Sequence, residues 1–231
     1  MEINSNPSTE FDPRDRKPFF FHDTLLRKSI VGILRAAFLA AMDLRVEGRA
    51  HFPSDGGVIV ACNHVTNFDV FPMQFSLPRP IFYMGKAELF KNPIADAVFR
   101  RMGAFPVSRE KKDEWAYNHA LKVLEHGQTL GMFPEGTRSK GRGLGVAKTG
   151  AARLAIESGA PIVPMAIIGS DKFFQKFPRR ARVTVSLLAP IQPYPGETPL
   201  ALTDRLMFTL AAALPVEMRG VYAELPKGFG G

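Results

Sequence analysis

The feature that most constrains this chain is a repeated exchange between two hydrophobic periods. Short apolar runs of strand length occupy residues 58–61, 81–84, 104–107, 129–133, 162–168 and 182–188. Between them, apolar residues recur with helical spacing over 70–77, 93–101, 110–125, 146–158 and 199–214. Two of these helical stretches run into Gly127 and Gly159, the residue type that most easily adopts the left-handed turn closing a helix. Such alternation predicts an α/β fold: a mixed, mainly parallel sheet flanked by helices. Sheets of this kind take their ligands at the carboxyl ends of the strands. The polar residues here sit at those ends: Asn63 and His64 after the first run, Lys86 after the second, Glu135 after the fourth. No internal repeat or interdomain linker interrupts the pattern. The chain therefore divides into a flexible segment (1–22), an amphipathic helix (23–45), an α/β domain (46–215) and a C-terminal tail (216–231).

Composition narrows the function. With 231 residues, 45% of them hydrophobic, the chain can bury a sizeable core in one domain. Its single cysteine, Cys62, excludes an internal disulfide framework and a cysteine zinc site, and fits a reducing compartment. The five histidines (His22, His51, His64, His119 and His126) lack metal-ligand spacing, so no protein-bound metal is expected. A net charge of +8 points to an anionic partner: nucleic acid, an anionic membrane surface or a phosphorylated substrate. The 19 phenylalanines, against 4 tyrosines and 1 tryptophan, form no clear base-stacking platform and suit core packing or a lipid-facing surface better, so nucleic acid is not expected. The polar, partly acidic start of the chain does not resemble a secretory signal. No apolar run is long enough to predict a transmembrane helix.

Two surface features leave their readings open. Asp23 or Thr24 can cap a helix reaching about Arg45, with Thr24, Lys28, Gly32 and Arg35 on a narrow stripe. Leu26, Ile30, Ile33, Ala37, Ala40, Ala41 and Leu44 share the opposite face, which either packs on the core or lies on a membrane. On the second reading Arg27, Lys28, Arg35 and the preceding Lys17-Pro18-Phe19-Phe20-Phe21 sit at headgroup level. Likewise, Lys172, Lys176, Arg179, Arg180 and Arg182, with Phe173, Phe174 and Phe177 between them, form either a headgroup- or donor-contacting cluster or a solvated hairpin.

The stretch 61–71, A-C-N-H-V-T-N-F-D-V-F, combines an imidazole and, five residues later, a carboxylate. His64 can act as a base oriented by Asp69, activating a hydroxyl or a water. Alternatively, Asp69 merely caps the helix that follows. Cys62, two residues before His64, is read as a small buried hydrophobe rather than a nucleophile. The other notable stretch is Phe133-Pro134-Glu135-Gly136-Thr137-Arg138-Ser139. Pro134 and Gly136 shape a turn, and the fork of Arg138 suits phosphate or carboxylate. Glu135 either positions that guanidinium or accepts a substrate hydroxyl; the plainer alternative is a surface salt bridge. Lys140, Arg142 and Lys148 keep the loop basic in either case. His119 and His126 lie on or just after a charged helical stretch and read as solvated.

Four blocks in order carry a family resemblance over roughly 46–190: Asn63-His64 with Asp69; Lys86-Ala87-Glu88-Leu89 through Pro93 to Gly103–Arg109; Phe133 to Ser139; and Ile162-Val163-Pro164-Met165. Together they resemble the glycerophospholipid acyltransferase family, in particular its bacterial 1-acyl-glycerol-3-phosphate branch. Thr66 departs from the serine of many members but keeps the hydroxyl. The resemblance implies transfer of a fatty acyl group from acyl carrier protein or coenzyme A to the sn-2 hydroxyl of lysophosphatidic acid, forming phosphatidic acid. It further implies His64 as general base and Asp69 as its orienter. Glu135, Gly136, Thr137 and Arg138 would hold the phosphate, with Lys86 and Arg109 adding positive charge. No cofactor beyond the acyl donor is implied, and the expected location is peripheral, at the cytoplasmic face of the membrane. Alternatives are the same chemistry on another lysolipid such as lyso-ornithine lipid, a hydrolase in which His64 activates water, and a non-catalytic basic module.

Overall fold

In the computed structural model, which describes residues 14, 24–108, 113–172 and 179–224, the apolar runs form all but one strand of a seven-stranded sheet. β1 (Met42–Glu47), β2 (Val58–Cys62), β3 (Ile81–Lys86), β4 (Ala104–Val107), β5 (Thr129–Met132), β6 (Ile162–Ile168) and β7 (Ala181–Leu187) lie in the order β1-β7-β6-β2-β5-β3-β4. Neighbours pair in parallel except β6 with β7, so the sheet is mixed and mainly parallel as expected. β2 is buried at every position, the signature of a strand covered on both faces.

Alternation along the strands divides the core. Val58, Val60, Cys62, Val163 and Met165 face the side covered by α1 (Leu25–Ala41) and α2 (Val70–Ser76). Ile59, Ala61, Leu130 and Ile162 face the side covered by α4 (Glu114–Glu125), α5 (Gly150–Ser158) and α6 (Pro199–Ala212). Each large aliphatic side chain fully buried this way contributes about 1.5–3 kcal/mol. α3 (Pro93–Arg101) links β3 to β4. Asn92 caps it by accepting from Ile94 N at 2.9 Å and Ala95 N at 3.1 Å, and Pro93 fills the first turn, where no N–H is needed.

Three boundaries and one environment differ from the sequence reading. α1 closes at Ala41 rather than near Arg45, because residues 42–47 pair with β7 from Met42↔Ala181 to Glu47↔Ser186. α5 starts at Gly150, four residues late, since Lys148 N bonds to Pro134 O at 2.9 Å and holds that stretch as loop. α4 begins at Glu114, capped by Asp113, whose carboxylate accepts from Ala116 N at 3.0 Å. His119 is buried, not solvated: it stacks on Trp115 and abuts Phe105, because it shares the inner face of α4 with Ala116, Ala120 and Val123. His126 is exposed, as expected.

α1 also settles differently from its helical wheel. Val31, Leu34 and Phe38 are half-buried, whereas Leu26 and Ile33, from the face expected to be apolar and covered or membrane-bound, are 56% and 69% exposed. Among the described residues, no helix is long and apolar enough to cross a membrane.

The connectivity opens a crevice. β2 and β5 are parallel neighbours, yet α2, following β2, lies on one face and α5, following β5, on the other. The two outgoing loops therefore diverge at the carboxyl end of the sheet, the switch point where α/β proteins bind ligands.

Candidate active site

The loop leaving β2 is anchored before it turns. Asn63 is buried, donating from Nδ2 to Ile167 O at 2.9 Å and accepting at Oδ1 from Ile167 N at 2.8 Å, which replaces a rung of the sheet ladder with β6. His64 follows, its Nδ1 2.9 Å from Asp69 Oδ2. That oxygen also accepts from Val65 N at 2.7 Å and Thr66 N at 2.8 Å, while the Thr66 hydroxyl donates to Oδ1 at 3.2 Å. The kept hydroxyl at Thr66 thus has a structural use, and it accepts in turn from Phe68 N. Asp69 stands at the head of α2 but makes no side-chain cap bond there. Its carboxylate is turned back into its own loop, so its side chain does not cap the helix.

With a carboxylate accepting at Nδ1, the imidazole carries its proton there and presents the Nε2 lone pair. Nε2 has no hydrogen-bond partner among the described residues, and the side chain keeps 14% of its surface exposed. The ring lies on Phe133 with centroids 3.9 Å apart and planes 16° from parallel. Cys62 offers no rival chemistry. Burial, with the Asp69 and Glu135 carboxylates adding to it, pushes its thiol well above the ordinary range, and Sγ donates to Asn63 O.

The loop leaving β5 supports His64 from the other side. Gly136 N closes a turn onto Phe133 O at 2.9 Å, and Gly136 adopts φ +65°, where a side chain would be strained. Glu135 is only 4% exposed; Oε1 accepts from His64 N at 3.0 Å and Oε2 from Gly145 N at 2.8 Å. Burial raises its carboxyl above the usual value, opposed by those two N–H bonds. Among the described residues no bond joins Glu135 to Arg138. Glu135 pairs with backbone instead, because the carboxylate points inward and ties the two loops together. Ser139 N completes the clamp by donating to His64 O at 2.7 Å.

The remaining sequence candidates are placed unequally. Thr137 is exposed and Arg138 half-buried on the same loop. Lys86 ends β3 at the same end of the sheet, exposed, and makes no hydrogen bond or ion pair with these residues. Arg109 lies outside the described residues, as do Lys176, Phe173, Phe174 and Phe177 of the second basic cluster. From that cluster, Arg180 donates to Met42 O at 2.7 Å and so braces β1.

Two supports had no recognisable sequence signal. Phe38 of α1 stacks on Phe71 at 3.7 Å and meets Phe68 at 6.3 Å, joining α1 to the Asp69 loop. Beyond α6, residues 216–222 fold over the β5 loop: Leu144 N donates to Met218 O, Val221 N to Leu144 O, and Ala147 N to the Tyr222 hydroxyl. The contact needs glycine, since a Cβ on Gly220 would lie 2.1 Å from Leu144 O.

Fold and site together describe an α/β protein that presents an oriented imidazole beside a loop carrying a guanidinium, a class suited to taking a proton from an anionic ligand. Comparison with known proteins makes this specific. The acyltransferase family model matches residues 43–168, and the chain belongs to that family. It is 36% identical over 128 residues to the 1-acyl-sn-glycerol-3-phosphate acyltransferase of Bacillus subtilis, covering 54% of this chain and 63% of the relative. To the enzyme of that name from Borreliella burgdorferi it is 30% identical over 141 residues, covering 60% and 56%. The chain thus spans less than two thirds of the length of these curated relatives. Its fold is similar to the crystal structure of the 1-acyl-sn-glycerophosphate acyltransferase PlsC from Thermotoga maritima, with a TM-score of 0.67 over 87% of this chain and 83% of that one, at 24% identity.

Proposed function

We propose that this protein transfers a fatty acyl group from a thioester to the sn-2 hydroxyl of lysophosphatidic acid, forming phosphatidic acid. The observation that carries the reading is the 2.9 Å contact between His64 Nδ1 and the fully buried Asp69, in a crevice shared with the Arg138 loop. His64 Nε2 accepts the hydroxyl proton as the oxygen attacks the thioester carbonyl. The tetrahedral intermediate collapses, the C–S bond breaks, and the imidazolium returns the proton to the departing sulfur. A thioester is already activated, so one oriented base suffices and no covalent acyl-enzyme is needed. Acyl carrier protein and coenzyme A are both anionic donors that a chain of net charge +8 would attract. The names of the bacterial relatives support lysophosphatidic acid as acceptor. Incubating the protein with lysophosphatidic acid and each labelled thioester, with mass-spectrometric detection of phosphatidic acid, tests the reading; no product with either donor rejects it.

In this reading Arg138 holds the acceptor phosphate. Arg138→Ala is expected to raise KM for lysophosphatidic acid by about 10- to 100-fold, the scale of one charge-assisted hydrogen bond. Turnover of monoacylglycerol, which lacks the phosphate, should change little. An equal loss on both acceptors would remove the assigned role.

The same reading places the protein peripherally on the cytoplasmic face of the membrane, through α1. Leu25 at 84%, Leu26 at 56% and Ile33 at 69% exposure are costly in water and favourable at a lipid boundary, and the neighbouring Lys28 and Arg35 suit anionic headgroups. The double substitution Leu26→Glu with Ile33→Glu should abolish flotation with vesicles containing anionic phospholipid. Flotation equal to that of the unaltered chain would rule α1 out as the contact.

A further inference from the structure

Beside the Gly136 turn lies a cation that the sequence reading counted only as keeping the loop basic. Lys148 is fixed at its backbone, where N donates to Pro134 O at 2.9 Å across the turn. Its side chain then runs over Gly136: a Cβ at position 136 would lie 3.2 Å from Lys148 Cε, 3.3 Å from Cδ and 3.4 Å from Nζ. The absence of a side chain at Gly136 thus leaves the lysine stem in close contact with the turn.

The ammonium has no protein counter-charge there. Nζ makes no hydrogen bond or ion pair among the described residues, and the side chain is exposed. The adjacent carboxylate, Glu135, is buried and occupied by His64 N and Gly145 N. Meanwhile the turn beneath the ammonium begins at Phe133, whose ring stacks on His64. A positive charge with no protein partner among the described residues thus lies over the Gly136 turn, whose first residue, Phe133, stacks on His64. Such a charge recognises an anion that arrives with the substrate, and a compact ammonium suits a phosphate approached from one side.

We propose that Lys148 is a substrate-binding, specificity-determining residue whose ammonium, over the Gly136 turn of the loop that also carries Arg138, holds a substrate phosphate. The inference deepens the acyl-transfer reading and rests on it for the identity of the substrate. The phosphate has two available sources, the acceptor lipid and the phosphates of the donor's carrier group.

Binding separates the sources and does not require turnover. The full chain, Lys148→Met, which keeps most of the apolar stem, and Lys148→Arg, which keeps the charge, are titrated with glycerol 3-phosphate and with coenzyme A. Lys148→Met is expected to raise Kd for at least one probe about 10-fold, with Lys148→Arg recovering most of the loss and neither variant changing the unliganded unfolding midpoint. Weakening for glycerol 3-phosphate assigns the acceptor phosphate, and weakening for coenzyme A assigns the donor. Unchanged Kd for both probes, no binding of either probe to the unaltered chain, or an equal loss in the arginine variant overturns the proposal. In steady state the charge loss should raise KM for the phosphate-bearing substrate and leave kcat within about 2-fold; a fall in kcat with KM unchanged would mark a merely structural role. Failure of the acyl-transfer reading shows separately, as absent product from the unaltered protein.

Discussion

Replacing His64 with alanine is expected to lower kcat about 100- to 10,000-fold while leaving substrate binding nearly intact. The geometry makes this substitution unusually clean. The loop is held by its backbone, with His64 N bonded to Glu135 and His64 O accepting from Ser139 N, and neither bond involves the ring. Asp69 keeps its acceptors' partners at Val65 N, Thr66 N and the Thr66 hydroxyl, so the loop retains most of its internal bonding. What disappears is the Nε2 lone pair, the Nδ1 bond to Asp69 and the stacking on Phe133. Single-turnover measurement with saturating lysophosphatidic acid and acyl thioester isolates the chemical step from binding. A variant that retains more than about a tenth of the unaltered rate would mean that another group takes the hydroxyl proton, and the base assignment would fall.

Asp69→Ala is expected to be comparably damaging, but for two reasons that can be separated. It removes the partner of the imidazole, and it strips acceptors from Val65 N, Thr66 N and the Thr66 hydroxyl, at a stability cost of about 1–3 kcal/mol for the donors left unpaired. Asp69→Asn should be milder. Its carbonyl oxygen is forced to face Val65 N and Thr66 N, because the amide NH2 in that place would set donor against donor. The same oxygen then still accepts from His64 Nδ1, so the productive tautomer survives and only the negative charge beside the developing imidazolium is lost. The expected fall in kcat for Asn is about 10- to 100-fold, with an unfolding midpoint near that of the unaltered protein. A loss for Asn as large as for Ala, with both variants folded, would show that the amide has flipped and that the backbone donors do not control its orientation.

Much of the scaffold was legible because the relevant signals are local. The runs at 58–61 and 162–168 are apolar without a break, and strands buried on both faces need no partner information to be recognised. β1 was not separated for the opposite reason. Its sequence, M-D-L-R-V-E, follows an apolar helix directly and carries charges, so nothing local marks a boundary. Its identity as a strand comes from pairing with β7, far along the chain. For α1 the apolar arc is so wide that the wheel did not mark out the half-buried seam of Val31, Leu34 and Phe38, while Leu26 and Ile33 are exposed rather than packed on the core.

His64, Asp69, Gly136 and Arg138 were identifiable in the sequence because polar residues directly after buried strands stand out against their surroundings. By itself, then, the sequence determined the α/β class, the central strands, the pair of imidazole and carboxylate, and the basic turn, all of them patterns within a few residues. Only the tertiary structure decided what those groups meet. It set the Asp69 carboxylate against His64 and its own loop rather than on the end of α2, tied Glu135 to His64 N and Gly145 N, laid Lys148 along Gly136, and folded residues 216–222 over the β5 loop. The physical reason is that hydrogen-bond geometry and burial depend on groups brought together from distant parts of the chain, which no local spacing encodes.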